Sequence, residues 1–566
     1  MSTRAAAWKL AAGLESFGAV AALVGAGGVL LEAGLPAGGG AGAPAAGMFL
    51  WLALCLAIQP LLCRGLRRGK PTASGGDWPT LIAGGVFLLV VWGPWGPPRA
   101  WDAFLLRGFL VLSLVFRLNR LTAVLAVARV RPARALVSGF LGMIALGTAA
   151  LSLPGAASGE RLDFLTALFT ATSATCVTGL TVIDPGTDLS GFGQGVLLVL
   201  IQVGGLGLMT FTTLFAAALG RRLGLREREL LRNVLGAESL ATVGRTLVAI
   251  AGFTLLLEAA GTAALYIHWA EAFPDRGERL FTALFHGVSA FCNAGFSLFS
   301  QNMERFAGDT WTYGVISILV LAGGLGFFVL QDLLGRLRAK REESGYALGT
   351  RLSVSVSLVL LLGGAAILWL LEGDGTGEGL APGARVVEAV FLSVTARTAG
   401  FNTVDVSSMT HAGTMVLLFL MFVGASPAST GGGVKTVTLG VFLAALRSAL
   451  RGRRRVEIFR RTLDPGDVSR AMGIIVLGAA LTGGSAILLA AVEPFSFEDT
   501  LFESVSAFGT VGLSRGITAS LGPWGRVIII VTMFLGRIGP MSLGLALVRR
   551  GRGGRYEYPK ERVRFG

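Results

Sequence analysis

The chain has 566 residues, 53% of them hydrophobic and 15% charged, with a mean hydropathy of +0.68. Soluble domains carry roughly 25% charged residues, so a soluble enzyme is excluded; the 82 glycines lie in apolar runs without a G-X-Y period, which excludes collagen and disordered linker. The formal charge of +15 comes from basic residues clustered in short stretches between apolar segments, a distribution that the excess of Lys and Arg in cytoplasmic loops explains without nucleic acid.

A spanning helix needs about 20 mainly apolar residues, and this pattern predicts about twelve. They begin near Gly13, Gly47, Leu81, Ala103, Ala135, Gly193, Leu247, Tyr313, Leu352, Thr414, Met472 and Trp524. The first, over 11–35, contains Glu15 and precedes further spans, so it reads as a retained helix and not a cleaved signal peptide. Cys55, Cys63, Cys176 and Cys292 show no CxxC spacing, which supports neither a disulfide framework nor a zinc site. Basic groups at Arg64 to Lys70, Arg129 to Arg134, 221–232, 336–341, 447–461 and 549–564 alternate with acidic or mixed loops holding Asp184, Asp188, Glu271, Asp275, Glu372 and Asp374. Both termini are therefore expected in the cytoplasm, with the basic stretches near anionic lipid headgroups.

From Arg134 onward, two full spans and one shorter apolar segment lie between consecutive basic loops. The short segments share a pattern: LFTATSATCVTGL, LFHGVSAFCNAGF, VFLSVTARTAGF and LFESVSAFGTVGL. Phe169, Phe285, Phe391 and Phe502 are each followed four residues later by Ser or Thr, and then by Gly179, Gly295, Gly400 and Gly512. This fourfold repeat of helix, re-entrant segment, helix has all units pointing the same way, so that four can surround one axis. Non-helical backbone at membrane depth is tolerated only where it is buried in protein or lines a watery cavity. Each short helix, begun by acids such as Asp163, Glu278 and Asp499, would end at mid-membrane with its negative dipole end favouring a cation. The carbonyls that follow would replace an ion's hydration shell, the glycines allowing close approach to the axis. The alternative use of these glycines is tight helix packing.

After each short segment the outgoing helix is expected to break, at Gly204-Gly205-Leu206-Gly207, Gly323-Gly324-Leu325-Gly326, Gly424-Ala425-Ser426-Pro427 and Gly536-Arg537-Ile538-Gly539. Gly205, Gly324, Ala425 and Arg537 fall at matching places. A charge at mid-helix costs roughly 2.5–3.5 kcal/mol, so Arg537 should face an aqueous cavity, as a barrier to cations, or pair with an acid. The third outgoing helix is overlong and is interrupted by GASPASTGGG. Arg397, beside the third filter, should staple the pore loop from behind. His268, His286 and His411 are scattered without metal or general-base spacing, and the paired groups a membrane enzyme needs are absent.

Thr510-Val511-Gly512 echoes the first half of the TVGYG loop of potassium channels. Together with TCVTGLTV, SAFCNAGFSL, TARTAGFNTVD and SAFGTVGLS, it makes the chain resemble the TrkH/KtrB potassium-transporter superfamily over about Arg134 to Arg550. The resemblance implies an all-α polytopic membrane protein with four helix, pore-loop, helix repeats in pseudo-fourfold symmetry around one ion pore, plus about four N-terminal helices. The division expected is 1–130 for those helices, 131–220, 221–340, 341–460 and 461–550 for the repeats, and 551–566 for a basic cytoplasmic tail.

It further implies potassium uptake across the cytoplasmic (inner) membrane, with potassium as substrate, no cofactor in this chain and no enzymatic activity. The filter would comprise Thr175, Cys176, Val177, Thr178 and Gly179; Cys292, Asn293, Ala294 and Gly295; Thr398, Ala399 and Gly400; and Gly509, Thr510, Val511 and Gly512. Relatives with serine at the first filter glycine are associated with sodium, and this chain keeps Gly179; sodium conduction or sodium-coupled potassium uptake is the alternative. The family's intramembrane gate loop maps to 424–435, with Gly424, Pro427, Gly431, Gly432, Gly433 and the basic Lys435, and its suspected barrier arginine maps to Arg537. The alternative for Lys435 is a kinked helix whose lysine snorkels to the cytoplasmic surface. The family forms homodimers and docks a nucleotide-binding regulatory subunit of the TrkA/KtrA kind; no GxGxxG followed by a strand occurs in this chain, so such regulation would come from a separate one.

Overall fold

The computed structural model describes residues 132–220, 240–338, 346–372, 382–453 and 455–539. The expected spans before residue 131, Cys55 and Cys63, Asp374, the basic stretches at 64–70, 221–232 and 549–564, and the tail lie outside the described residues.

Apolar runs become helices wherever they are long enough to satisfy their own backbone, which hydrocarbon requires. The first unit comprises α1 (Pro132–Leu151), the short α2 (Phe164–Cys176) and α3 (Gly191–Gly220). The second comprises α4 (Leu240–His268), the short α5 (Arg276–Cys292), α6 (Thr310–Leu325) and α7 (Phe327–Arg338). The third comprises α8 (Leu348–Leu371), the short α9 (Pro382–Thr395), α10 (His411–Phe422) and α11 (Thr436–Leu450). A two-residue hairpin, β1 (Glu457–Ile458) with β2 (Arg461–Thr462), leads to α12 (Pro465–Val492), the short α13 (Phe497–Gly509) and α14 (Pro523–Ile538). Among the described residues, Ala249–His268, Leu348–Leu371 and Pro465–Val492 are each long and apolar enough to cross a membrane, and α6 with the start of α7 makes a fourth candidate bent by 98°.

Each short helix packs against the long helix before it, and each outgoing helix against the short helix of the next unit: α3 on α5, α6 on α9, α10 on α13, and α14 back on α2. The contacts close on themselves. Phe169, Phe285, Phe391 and Phe502 are all buried in the apolar clusters that result, which accounts for their recurrence. Large apolar side chains such as Leu146, Ile318, Val359 and Val476 remain exposed on the outer faces of the long helices, as lipid-facing surface would be.

The outgoing helices break in only part of the expected way. Helix α3 runs unbroken through Gly204-Gly205-Leu206-Gly207, because three glycines cost a helix only about 1 kcal/mol each and packing against α5 outweighs that. Breaks do occur at Gly326 (φ +82°) and over 423–435 in the third unit; α14 ends at Ile538, with Gly539 (φ +84°) the last residue described there.

Candidate ion pathway

Three of the short helices begin at side-chain caps. The Asp163 carboxylate accepts from the Leu165 and Thr166 N–H groups, Asp275 from Glu278 N–H, and the Ser496 hydroxyl from Asp499 N–H. Asp163 thus caps as expected, whereas Glu278 and Asp499 sit one turn inside while Asp275 and Ser496 do the capping. Thr175, Cys176, Cys292 and Gly509 lie in the last turns of these helices.

The chain then turns sharply. Val177, Asn293, Thr398 and Thr510, each two residues before a repeat glycine, have φ of +56°, +58°, +72° and +50°; Gly179, Gly295, Gly400 and Gly512 have +92°, +68°, +76° and +98°. Left-handed residues therefore alternate with the intervening Thr178, Ala294, Ala399 and Val511. Such alternation removes the up-and-down reversal of carbonyls along an ordinary strand, where all residues share one hand. The four non-glycine residues hold this conformation at a cost of about 1–2 kcal/mol each.

The glycines form a closed ring. A methyl group built on Gly179 would fall within 3.0 Å of the Ala294 carbonyl oxygen, one on Gly295 of the Ala399 oxygen, one on Gly400 of the Val511 oxygen, and one on Gly512 of the Thr178 oxygen. Each glycine is needed because the carbonyl preceding the next unit's glycine occupies the place of its side chain. The repeat Ser or Thr braces every turn: Ser173 Oγ accepts from Gly179 N–H (3.2 Å), Ser506 Oγ from Gly512 N–H (3.1 Å), and Ser289 and Thr395 hydroxyls donate to Phe296 and Phe401 carbonyls (both 2.8 Å). Arg397 points away, its guanidinium donating to Ser357 Oγ at 2.9 Å on α8, where it staples the loop from behind.

On one side of the ring opens a cavity of about 450 Å³ lined by Gly179, Gly295 and Gly512 and by Asp184, Asp188, Glu304 and Asp405. Burial and then the nearby Asp405 raise the Glu304 pKa above the usual carboxylate value. On the other side lies the segment 423–435. Gly431 packs under the Thr398 side chain and Gly432 under that of Thr510, whose hydroxyl accepts from Gly432 N–H at 3.0 Å. Neighbouring backbone anchors it as well, Ser426 N–H donating to Gly324 O (3.0 Å) and Phe327 N–H to Ala428 O (3.2 Å). Pro427 is exposed, and Gly433 turns with φ +66°.

Lys435 does not snorkel. Its Nζ donates to the Gly431 and Gly432 carbonyls at 2.6 and 3.3 Å, so the lysine closes the segment on itself. Arg537 is buried, and its guanidinium bridges two carbonyls: Nη1 donates to Thr430 O and Nη2 to Gly204 O at 2.8 Å. No acid pairs with it among the described residues. The first glycine of three outgoing helices meets a short helix end instead of the axis: methyl groups on Gly204, Gly323 and Gly536 would clash with the Thr175, Phe291 and Phe508 carbonyls, each four residues before a ring glycine. In the third unit the equivalent Gly424 faces Gly432 O of the inserted segment. Tight packing is thus the use of these particular glycines.

The repeat glycines, the turns before them and the inserted segment lie against one another, and other residues join them. Thr430 was missed because a hydroxyl amino acid among glycines carries no distinctive signal. The buried Glu258 of α4, which accepts from Gln202 Nε2 at 3.1 Å and lies behind Cys292, was missed as well, although a carboxylate inside an apolar run is itself a signal. His286 and Glu503 are two further buried titratable groups, on α5 and α13.

The family model for TrkH, a cation transport protein, matches residues 136–550. The Ktr system potassium uptake protein B of Vibrio alginolyticus is 38% identical over 420 residues, covering 74% of this chain and 91% of that protein. The potassium/sodium uptake protein NtpJ of Enterococcus hirae is 35% identical over 448 residues, covering 77% and 98%. The crystal structure of the potassium transporter TrkH from Vibrio parahaemolyticus superposes with a TM-score of 0.59 at 18% identity, covering 97% of this chain and 99% of that one, a likeness of fold. The chain belongs to the TrkH/KtrB superfamily, a family of helical membrane cation transporters and not of enzymes.

Proposed function

We propose that this chain is the pore-forming subunit of a potassium uptake system of the cytoplasmic (inner) membrane, with both termini in the cytoplasm. Potassium passes through the ring at Gly179, Gly295, Gly400 and Gly512, coordinated by backbone carbonyls from the four repeats. The single observation that carries this reading is the closed ring itself, in which every repeat glycine lies against the carbonyl preceding the next. The acidic vestibule at Asp184, Asp188, Glu304 and Asp405 gathers cations on the outer side. Interior-negative potential then contributes about 2.3 kcal/mol per charge per 100 mV to entry.

Residues 424–435 act as the gate beneath the filter, held shut by Arg537 on Thr430 and by Lys435 on Gly431 and Gly432. Arg537 also places a positive charge on the path, which opposes cations until it moves. The relatives named as members of a Ktr system support a partner, and we assign that role to a cytoplasmic nucleotide-binding subunit of the TrkA/KtrA kind on a homodimer of this chain. The repeat boundaries 131–220, 221–340, 341–460 and 461–550 follow from the same reading.

A second reading, sodium conduction or sodium-coupled potassium uptake, is favoured by one observation, the potassium/sodium name of the Enterococcus hirae relative. The test is potassium against sodium flux into proteoliposomes under an interior-negative potential, with the chain alone and with Arg537→Ala. Potassium entry that excludes sodium supports the first reading; sodium entry of equal size, or potassium entry that requires sodium, overturns it.

A further inference from the structure

The residue that follows the repeat phenylalanine differs in every unit: Thr170, His286, Leu392 and Glu503. In two of them it does the same thing. Glu503, buried on α13, accepts a hydrogen bond from Ser514 Oγ at 2.9 Å and one from the Thr518 hydroxyl. His286, buried on α5, faces Ser297 Oγ with Nε2 at 3.0 Å and Thr282 O with Nδ1 at 2.8 Å. A carbonyl only accepts, so Nδ1 carries the proton, and in the neutral ring Nε2 is the acceptor for the serine hydroxyl. Ser297 and Ser514 occupy the same place, two residues beyond Gly295 and Gly512. Each then turns the chain leaving the filter, Ser297 Oγ accepting from Phe299 N–H (3.0 Å) and Ser514 Oγ from Gly516 N–H (3.1 Å).

The other two units lack this link. Thr170 Oγ1 has no hydrogen-bond partner among the described residues, Leu392 has no polar atom, and Asn402 Oδ1, two residues beyond Gly400, is also unpartnered. Because the glycine ring runs 179, 295, 400, 512, the linked units stand opposite each other.

We propose that His286 and Glu503 are positioning residues of the ion filter: two unlike side chains that serve as equivalent hydrogen-bond acceptors and fix the outer end of the ring across one diagonal. The opposite diagonal lacks this link at the filter exit, so the outer end of the ring is tied to its pore helices in one direction and is more compliant in the other. This rests on the filter reading above. The two serines carry the link from pore helix to filter exit; Ser514 is only partly buried, and both line the cavity on the outer side of the ring.

The test measures potassium and sodium affinity of the purified full-length chain by isothermal titration calorimetry, which does not require the gate to open. Ser514→Ala and Ser297→Ala should each lower the potassium-over-sodium affinity ratio by about five- to tenfold, the worth of one hydrogen bond to a strong buried acceptor. Ser514→Thr, which keeps the hydroxyl, should restore the ratio, and Thr181→Ala, at the same place in an unlinked unit, should leave it unchanged. A merely structural role would lower thermal stability in the alanine variants without moving the ratio, and that result overturns the proposal. So does an equal fall in Thr181→Ala. If the unsubstituted chain itself fails to distinguish potassium from sodium, the filter reading fails, and this proposal with it.

Discussion

Replacing Gly179 by serine separates the two demands that its position makes. The residue stands at φ +92°, where an L-residue pays roughly 1–2 kcal/mol, and its added Cβ would fall within 3.0 Å of the Ala294 carbonyl oxygen. The neighbour is backbone, with no flexible end to swing away, so the ring itself must shift. Since 1.4 kcal/mol is tenfold in an equilibrium, a distortion worth even the lower end of the range predicts a fall of about fivefold in potassium-over-sodium preference. Gly308 supplies the control: it has φ +84° on an exposed loop, and a methyl group there meets nothing within 4 Å. Gly308→Ser should therefore show the same backbone cost as a drop in thermal stability, with selectivity intact. The assay is tracer flux of potassium and sodium into proteoliposomes for both variants, beside thermal unfolding. Unchanged selectivity in Gly179→Ser, or an equal loss in Gly308→Ser, would refute the argument that the carbonyl ring sets the preference.

Three further outcomes are expected. Arg537→Ala removes the guanidinium that holds Thr430 O; a charged hydrogen bond is worth about 1.5–3 kcal/mol, so the open fraction and the basal flux of the chain alone should rise roughly ten- to hundredfold, and unaltered flux in a well-folded variant would sink the latch. Gly204→Ala should destabilise severely or prevent folding, because its methyl group meets the Thr175 carbonyl, whereas Gly207→Ala, whose nearest neighbour is Met143 Cε at 3.9 Å, should be tolerated or raise stability by about 1 kcal/mol; equal melting temperatures would contradict the packing. Burial and Asp405 raise the Glu304 pKa, so acidifying the outer side neutralises it at a higher pH than an ordinary glutamate and the KM for potassium should rise as pH falls, less steeply in Glu304→Gln. The stability term has the opposite sense, since the folded state holds that proton more tightly and gains on the unfolded chain toward acid pH. A wild-type KM that ignores pH would remove Glu304 from the capture of ions.

What could be read from the residues alone follows from how few solutions some positions allow. The four glycines stood out because only a residue without Cβ fits against a neighbouring carbonyl at positive φ, and Arg537 because a charge in an apolar run is expensive. The left-handed turns at Val177, Asn293, Thr398 and Thr510 were invisible, because ordinary side chains sit where glycine would have announced them. The surroundings impose that strain: the short helix's last carbonyls bind the turn, as Val177 N–H on Ala174 O (3.1 Å) and Thr178 N–H on Ser173 O (2.8 Å) show in the first unit. The unbroken course of α3 was misread because a run of glycines has the same composition whether it ends a helix or lets another chain approach it. The orientation of Lys435 also depends on what lies within reach. Snorkelling would be the resting place of a lysine with free water nearby, but the bare carbonyls of Gly431 and Gly432 are closer.

The placement of the proposed gate segment against the turns at Thr398 and Thr510 has a thermodynamic consequence. Gly432 N–H is bound to the hydroxyl of Thr510, a residue whose left-handed turn shapes the fourth filter strand, and Gly431 packs under Thr398 of the third. If the segment leaves as proposed, Thr510 loses a donor that it holds only in the closed state, and the two filter strands lose their floor. Opening then cannot be neutral toward the ion above. Because linked equilibria are reciprocal, whatever factor opening applies to potassium affinity, bound potassium must apply to opening. A gate built as a separate constriction farther along the axis would impose no such relation. With 424–435 as the proposed gate, the contact between Gly432 and Thr510 links ion occupancy to gate position, so that titrating potassium against the Arg537→Ala chain should yield a different affinity from the unsubstituted chain although the Arg537 hydrogen bonds go to Thr430 and Gly204.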